Sequence, residues 1–263
     1  MKLGYLFVPP SGSWAHAPKA PEAGRAQLAR SLGFSEFYVP TTGAAARVRA
    51  LPGPEAHPML QILSGSHSVA GPQLAYTDQA INRGLAPGRT RLAAPQACEH
   101  ALLEQSRSGL LPFSTSWVST DQLSRHWAAH VTGSTYAARK SCPDDWRIAR
   151  TVLVDDDAAR AEAMIKSPDS PCRAYYASLL APDADDATIE TLIDACVLYG
   201  DGPSVAHQLD CIRQATAAFG TLVLVDHAWA DAARARRSMA LFAEMVHESL
   251  GSAPEPAPRL ERA

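Results

Sequence analysis

Cysteine is scarce and has no pairing pattern. The chain holds Cys98, Cys142, Cys172, Cys196 and Cys211, an odd number with no CxxC spacing. That excludes a disulfide framework and a zinc knuckle, and it predicts free thiols in a reducing compartment. An excess of charge of one sign is also lacking. Lys and Arg number 24 against 27 Asp and Glu, a net charge of −3, so there is no electrostatic basis for binding nucleic acid or an anionic membrane. A small phosphate-bearing molecule stays possible, because one local arginine suffices for it. No run approaches the ~20 apolar residues of a membrane helix. The first residues lack the basic region and long apolar stretch of a secretory leader, so the expected compartment is the cytoplasm. No short repeat is visible beyond the alternation of strands and helices.

What is present is enough apolar sequence for a real core, 46% of 263 residues. This length fits one α/β barrel better than two small domains. One domain over 1–250 is expected, followed by a Pro-rich tail, 251–263, expected to be disordered. "KLGYLFV" (2–8) is a short apolar run closed by Pro9 and Pro10, as in a strand buried on both faces. "EAGRAQLARSL" (22–32) reads as a helix with Gly33 as its left-handed cap, and "FSEFYVP" follows as a strand. This is the β–loop–α–β unit of a parallel sheet. Residues 41–90 are poorly patterned. "MLQIL" (59–63) offers one short strand, 74–85 a weak helix and "RTRLAA" (89–94) a strand end.

From Cys98 the pattern sharpens. A helix ending at Gly109 leads to a strand-like "LLPFSTSW" (110–117), and Asp121 is the expected N-cap of the next helix. In that helix Leu123, Trp127, Val131 and Ser134 share one face at helical spacing. "DWRIARTVLV" (145–154) is a long strand, and the carboxylates 155–157 favour the start of the helix after it. Residues 168–195 read as helix with a break near Pro182. "GDGP" precedes a helix with Ser204 as expected N-cap and Val205, Leu209, Ile212 and Phe219 inward. "TLVLVDHAWA" is the last strand. Asp231 caps a final helix with Met239, Phe242, Val246 and Leu250 toward the core.

Three stretches, taken in order, resemble the bacterial luciferase-like flavin-dependent monooxygenase superfamily. They are "MKLGYLFVPP…AQLARSLGFSEFYVP", "GLLPFSTSWVSTDQLSRHWAAH…DWRIARTVLVDDDAARA" and "YGDGPSVAHQL…FGTLVLVDHAWADAARARRSMALFAEMV". The resemblance implies a (β/α)8 TIM-barrel-like fold, here reduced by loss of elements after strand 2. It implies reduced FMN or F420 at the C-terminal strand ends, reaction with O2 and a small organic substrate, a separate flavin reductase, and a homo- or heterodimer. No metal is implied. The departures are specific. Where the family carries an acidic–His–His run after strand two, this chain reads "YVPTTG". Where it holds phosphate with a Ser-Pro-Ser-like turn, this chain reads "PQACEH". These departures keep a second function open, that of a non-catalytic flavin-binding protein or the accessory subunit of a heterodimer.

The candidate residues follow. His67, in the Gly/Ser loop "SGSHSVAG", could serve as general acid or base near neutral pH, or be a plain loop residue. Trp117 ends a strand and could stack on the isoalloxazine or pack at the rim. Ser114 and Ser116 could bond flavin carbonyls or be ordinary strand hydroxyls. Arg91 could fork onto phosphate or be a solvated surface arginine. Gly200 and Gly202 could present amides to phosphate at a helix start or simply form a tight turn. His126 and His130, four apart, have the spacing of a metal pair. With no carboxylate ligand pattern nearby they are expected on the solvent face. Asp226 and His227 close the last strand, where they could carry chemistry at a barrel's catalytic face or, as is usual in the family resembled, be structural.

Overall fold

Short apolar runs without a polar face need cover on both sides, and the chain supplies it with an all-parallel sheet. The computed structural model describes residues 1–8, 21–40, 60–63, 98–181, 183–216 and 218–251. Its strands are β1 (Lys2–Val8), β2 (Glu36–Pro40), β3 (Leu60–Leu63), β4 (Phe113–Ser114), β5 (Arg147–Val154), β6 (Leu198–Gly200) and β7 (Thr221–His227). They run in the order β3-β2-β1-β7-β5-β4, with β6 on β5, and every pairing is parallel. β1 and β7, early and late in the chain, lie side by side from Lys2↔Thr221 to Val8↔His227. That junction is the one a TIM-barrel-like wrap requires. Among the described residues β3 and β4 stand at the two ends of that order.

The helices are α1 (Pro21–Ser31), α2 (Glu99–Arg107), α3 (Thr120–Tyr136), α4 (Ala158–Lys166), α5 (Pro171–Ala177), α6 (Asp186–Cys196), α7 (Gly202–Thr216) and α8 (Ala232–Gly251). The strand period of two sorts side chains into two buried clusters. Leu3, Tyr5, Ile148, Val152, Val154, Leu222 and Leu224 pack with Leu123 of α3, with Leu209 and Ile212 of α7, and with Met239, Phe242 and Val246 of α8. Leu6, Ala149, Leu153, Val223 and Val225 share the other cluster with Ile165 of α4, Tyr175 and Tyr176 of α5, and Ile189 and Ile193 of α6.

Several expectations are corrected. The strand expected over 110–117 is regular only at Phe113–Ser114. α3 starts two residues earlier than an Asp121 cap allows: the Ser119 N–H donates to Gln122 Oε1 at 3.1 Å, half of a capping box. Its buried face is Leu123, His126, His130, Gly133 and Ser134, while Val131 is exposed. Gly133 explains this rotation, because a Cβ there would lie 2.3 Å from the Leu103 carbonyl oxygen. Only glycine lets α2 come this close, and α2 then covers His130 rather than Val131. α7 is capped by Asp201, whose Oδ1 accepts from the Ser204 N–H at 2.9 Å, and not by Ser204. The elements expected at 74–85 and 89–94 and the tail after 251 lie outside the described residues.

The face carrying Ala149 and Val223 is layered. At its N-terminal end Arg147 donates to Glu36 through Nη2 (2.8 Å) and Nε (3.2 Å), and the Thr221 hydroxyl donates to the same carboxylate at 3.3 Å. Both charged side chains are buried. Removing one partner strands the other's charge, so Glu36→Leu is expected to cost about 3–5 kcal/mol. The volume-matched double replacement Glu36→Leu/Arg147→Met should recover most of that loss. Urea denaturation of the two variants against the parent measures both.

Candidate functional site

At the opposite, C-terminal end of the same face, four elements converge. Thr151 of β5 and His227 of β7 point to one side of the sheet, and the chain leaving β4 brings Ser116 and Trp117 alongside. α5 begins at Ser170, whose hydroxyl accepts from the Arg173 N–H, with Pro171 at its first turn. This short helix lays Tyr175 and Tyr176 over the strand ends. Tyr175 Oη lies 3.0 Å from Ser116 Oγ. The Tyr176 hydroxyl donates to the Ser116 carbonyl at 3.0 Å and lies 3.5 Å from Thr151 Oγ1. Thr151 Oγ1 is 3.0 Å from His227 Nε2. Thr151 Oγ1 and His227 Nε2 share one hydrogen bond, whose direction follows the imidazole tautomer. The rings of Trp117, Tyr175, His227 and Trp229 succeed one another at centroid spacings of 6.3, 5.2 and 5.4 Å.

This end is dry. Ser116, Tyr175, Tyr176, Thr151, His227 and Trp229 are buried, while Trp117 is half-buried. Burial, with the nearby Arg25 charge adding to it, depresses the His227 pKa to about 3. Burial also pushes the phenols of Tyr175 and Tyr176 well above their usual range. At neutral pH the cluster is therefore uncharged, with a neutral imidazole and two protonated phenols. Behind it Asp226 accepts from Tyr5 Oη (2.8 Å), Arg25 Nη1 (3.2 Å), Trp229 Nε1 (2.9 Å) and the His227 N–H (2.9 Å). Burial raises its pKa, and Arg25 and these donors oppose that rise. Four donors on one carboxylate make Asp226 a brace for the strand end.

The structure brings together only part of the expected site. Ser116 and Trp117 stand in the cluster. Ser114 faces the other way: it accepts from Trp146 Nε1 at 3.0 Å and lies 3.1 Å from His126 Nδ1. Gly200 ends β6 with φ +135°, and Gly202 opens α7. The amide end they frame already carries the Asp201 carboxylate, whose pKa its bonds to Ser204 lower, and a phosphate there would meet a like charge. His67 and Arg91 lie outside the described residues. His126 and His130, expected on the solvent face, are buried. The Ser106 hydroxyl donates to the Leu102 carbonyl at 2.7 Å, so at 2.8 Å it accepts from His130 Nδ1. Burial lowers the His130 pKa to about 4. Among the described residues no cluster of His, Cys, Asp and Glu could hold a metal.

The sequence left Thr151, Tyr175 and Tyr176 unremarked. Their signal was faint: a hydroxyl inside an apolar strand, and two tyrosines on a helix too short to show a period.

Comparison with family models returns no match, and neither does comparison with curated proteins. Solved structures do match. Flavoprotein 390 aligns with a TM-score of 0.59 at 8% identity, over 97% of this chain and 99% of its own. An F420-dependent secondary alcohol dehydrogenase, in complex with an F420–acetone adduct, aligns with a TM-score of 0.55 at 10% identity, over 93% of this chain and 97% of its own. The monooxygenase RslO1 from Streptomyces bottropensis aligns with a TM-score of 0.51 at 16% identity, over 95% of this chain and 68% of its own. The chain spans about half, 51%, of the length of a further match, the oxygenating constituent of a Baeyer–Villiger monooxygenase. The α/β, parallel-sheet, TIM-barrel-like fold expected from the sequence is thus borne out.

The buried histidines make stability depend on pH. Their folded pKa values lie below the ordinary 6.5, so the unfolded chain binds more protons through that interval. Their contribution is complete above about pH 6.5 and is lost as pH falls toward 4 and then 3. Denaturation series at about pH 7 and about pH 5 should show the loss. His130→Asn, which keeps a donor for Ser106, should make the decline shallower.

Proposed function

We propose that this chain is a luciferase-like flavin- or deazaflavin-dependent oxidoreductase, of the monooxygenase type, acting on a small organic substrate with reduced FMN or F420. The observation that carries this reading is the convergence of Ser116, Trp117, Thr151, Tyr175, Tyr176 and His227 at the C-terminal ends of β4, β5 and β7. That is the end at which barrels of this architecture place their chemistry. Support comes from neighbours of the same fold that include a flavoprotein, an F420-dependent dehydrogenase and a monooxygenase. A flavin reductase acting in trans, a dimeric assembly and a cytoplasmic setting belong to the same proposal. No described helix is long and apolar enough to cross a membrane.

The donor set fits the flat ring of such a cofactor and not its phosphate. An aromatic wall, half-buried at Trp117, is what a tricyclic ring stacks on. At the start of α7 the Ser204 amide is already served by Asp201. When bound, the cofactor supplies the redox chemistry. The chain's own part is positional. Trp117 offers a face. Tyr175 and Trp229 exclude water. Tyr175 Oη, held protonated by burial, presents a hydrogen to a substrate oxygen if Ser116 releases it. His227 Nε2, neutral, shares a hydrogen bond with Thr151 and fixes that hydroxyl.

One observation favours a second reading, a non-catalytic flavin-binding protein or accessory subunit. The polar groups of Ser116, Thr151, Tyr175, Tyr176 and His227 are spent on one another. Anaerobic titration with reduced FMN and with reduced F420, followed by tryptophan fluorescence, tests the proposal. Saturable binding of one is expected, and Trp117→Ala should weaken it about tenfold or more, roughly 1.4 kcal/mol. Binding without substrate-dependent oxygen uptake, once a reductase is supplied, would favour the accessory reading. No binding of either cofactor would defeat the enzyme reading and leave the flavin-free accessory subunit.

A further inference from the structure

Arg150 sits in the middle of β5 and is 0% exposed. Its Nη1 donates to its neighbour's carbonyl, Ala149 O, at 2.8 Å and approaches Thr115 O at 3.5 Å. Nε and Nη2 have no hydrogen-bond partner among the described residues, nor does the buried Thr115 Oγ1 beside them. No carboxylate of the described residues pairs with this guanidinium, although Arg147, three positions earlier, has Glu36. The buried groups close enough to feel its charge are Tyr176 and the Cys196 thiol, both protonated at neutral pH. Burial lowers its own pKa, but an arginine keeps its proton under physiological conditions. The chain thus holds a fixed positive charge in a dry place, with one edge of its fork unused.

The geometry points to a carboxylate-binding site, in which Arg150 Nε and Nη2 take the two oxygens of a carboxylate on an organic substrate and Thr115 Oγ1 donates to one of them. The unused edge is the side-on fork that matches a planar carboxylate bidentately. One guanidinium balances one negative charge. A phosphate dianion would leave an uncompensated charge in the same buried volume, so the charge count selects the carboxylate. The location agrees: Thr115 immediately precedes Ser116 and Trp117, and Tyr176 spans from the Ser116 carbonyl toward Thr151. The inference rests on the proposed function only for calling the bearer of the carboxylate a substrate. The binding itself is measured without cofactor, so either can fail alone.

The test is thermal unfolding of the full, cofactor-free chain at fixed ionic strength, titrated with benzoate, with neutral benzamide and with inorganic phosphate. Benzoate should raise Tm by roughly 5–10 °C at about a hundredfold excess over its Kd. Benzamide and phosphate should leave it unchanged. Arg150→Met, which fills the space without the charge, should fold at least as well as the parent and lose the response. Should that variant not fold, the benzoate–benzamide difference on the parent chain decides by itself. An equal rise with benzamide or phosphate, no rise with any probe, or a benzoate response retained in Arg150→Met would overturn the proposal. A fall in the Tm of Arg150→Met with no benzoate effect on the parent would also overturn it, since the guanidinium would then be paired within the chain.

Discussion

β5 is buried along its whole length, on both faces and between neighbours, and yet carries Arg147, Arg150 and Thr151 among its apolar residues. Polar groups in such a strand must find partners or cost heavily, and the rest of the molecule is arranged around that demand. Arg147 draws Glu36 of β2 across the N-terminal end of the sheet. Thr151 draws His227 of β7 and comes within reach of Tyr176 of α5 at the C-terminal end. Arg150 draws only two main-chain carbonyls. The same strand thus closes one end with an ion pair, furnishes the other with neutral hydrogen bonds, and keeps one charge in reserve between them.

The two ends differ in kind, and the difference bears on function. A paired charge at the N-terminal end is a structural plug, and in barrels that end is the one given to stability. The C-terminal end is built from groups that burial holds uncharged: His227 below its ordinary pKa, Tyr175 and Tyr176 above theirs. Such a cluster cannot trade protons with bulk water near neutral pH. It can orient a flat ring, keep water out and present a hydroxyl hydrogen. That suits the proposed function, in which the cofactor and not the chain carries the redox chemistry.

The strands and helices were largely legible in the sequence because their signals are local. The apolar run at 2–8, the left-handed glycines Gly33 and Gly109, and the caps Asp157 and Asp231 act within a few residues of themselves. The misreadings came where a distant contact overrode the local pattern. Val131 was expected inward by helical spacing. The close approach of α2 over Gly133 turned His126 and His130 inward instead, where Ser114 and Ser106 meet them. Ser114 and Ser116 looked equivalent as neighbours on one segment. Their side chains leave on opposite sides, one to α3 and one to α5.

By itself the sequence determined an alternating parallel α/β chain, the order of most of its elements and the family it resembles, because periodicity, caps and turns are written in neighbouring residues. The tertiary structure alone decided which polar groups face one another. Tyr175 meets Ser116 across 59 positions and Arg147 meets Glu36 across 111. Whether Arg150 had a partner was likewise settled only by packing. A hydrogen bond or an ion pair depends on distance in space, and the one-dimensional chain carries no record of that distance until the sheet has formed.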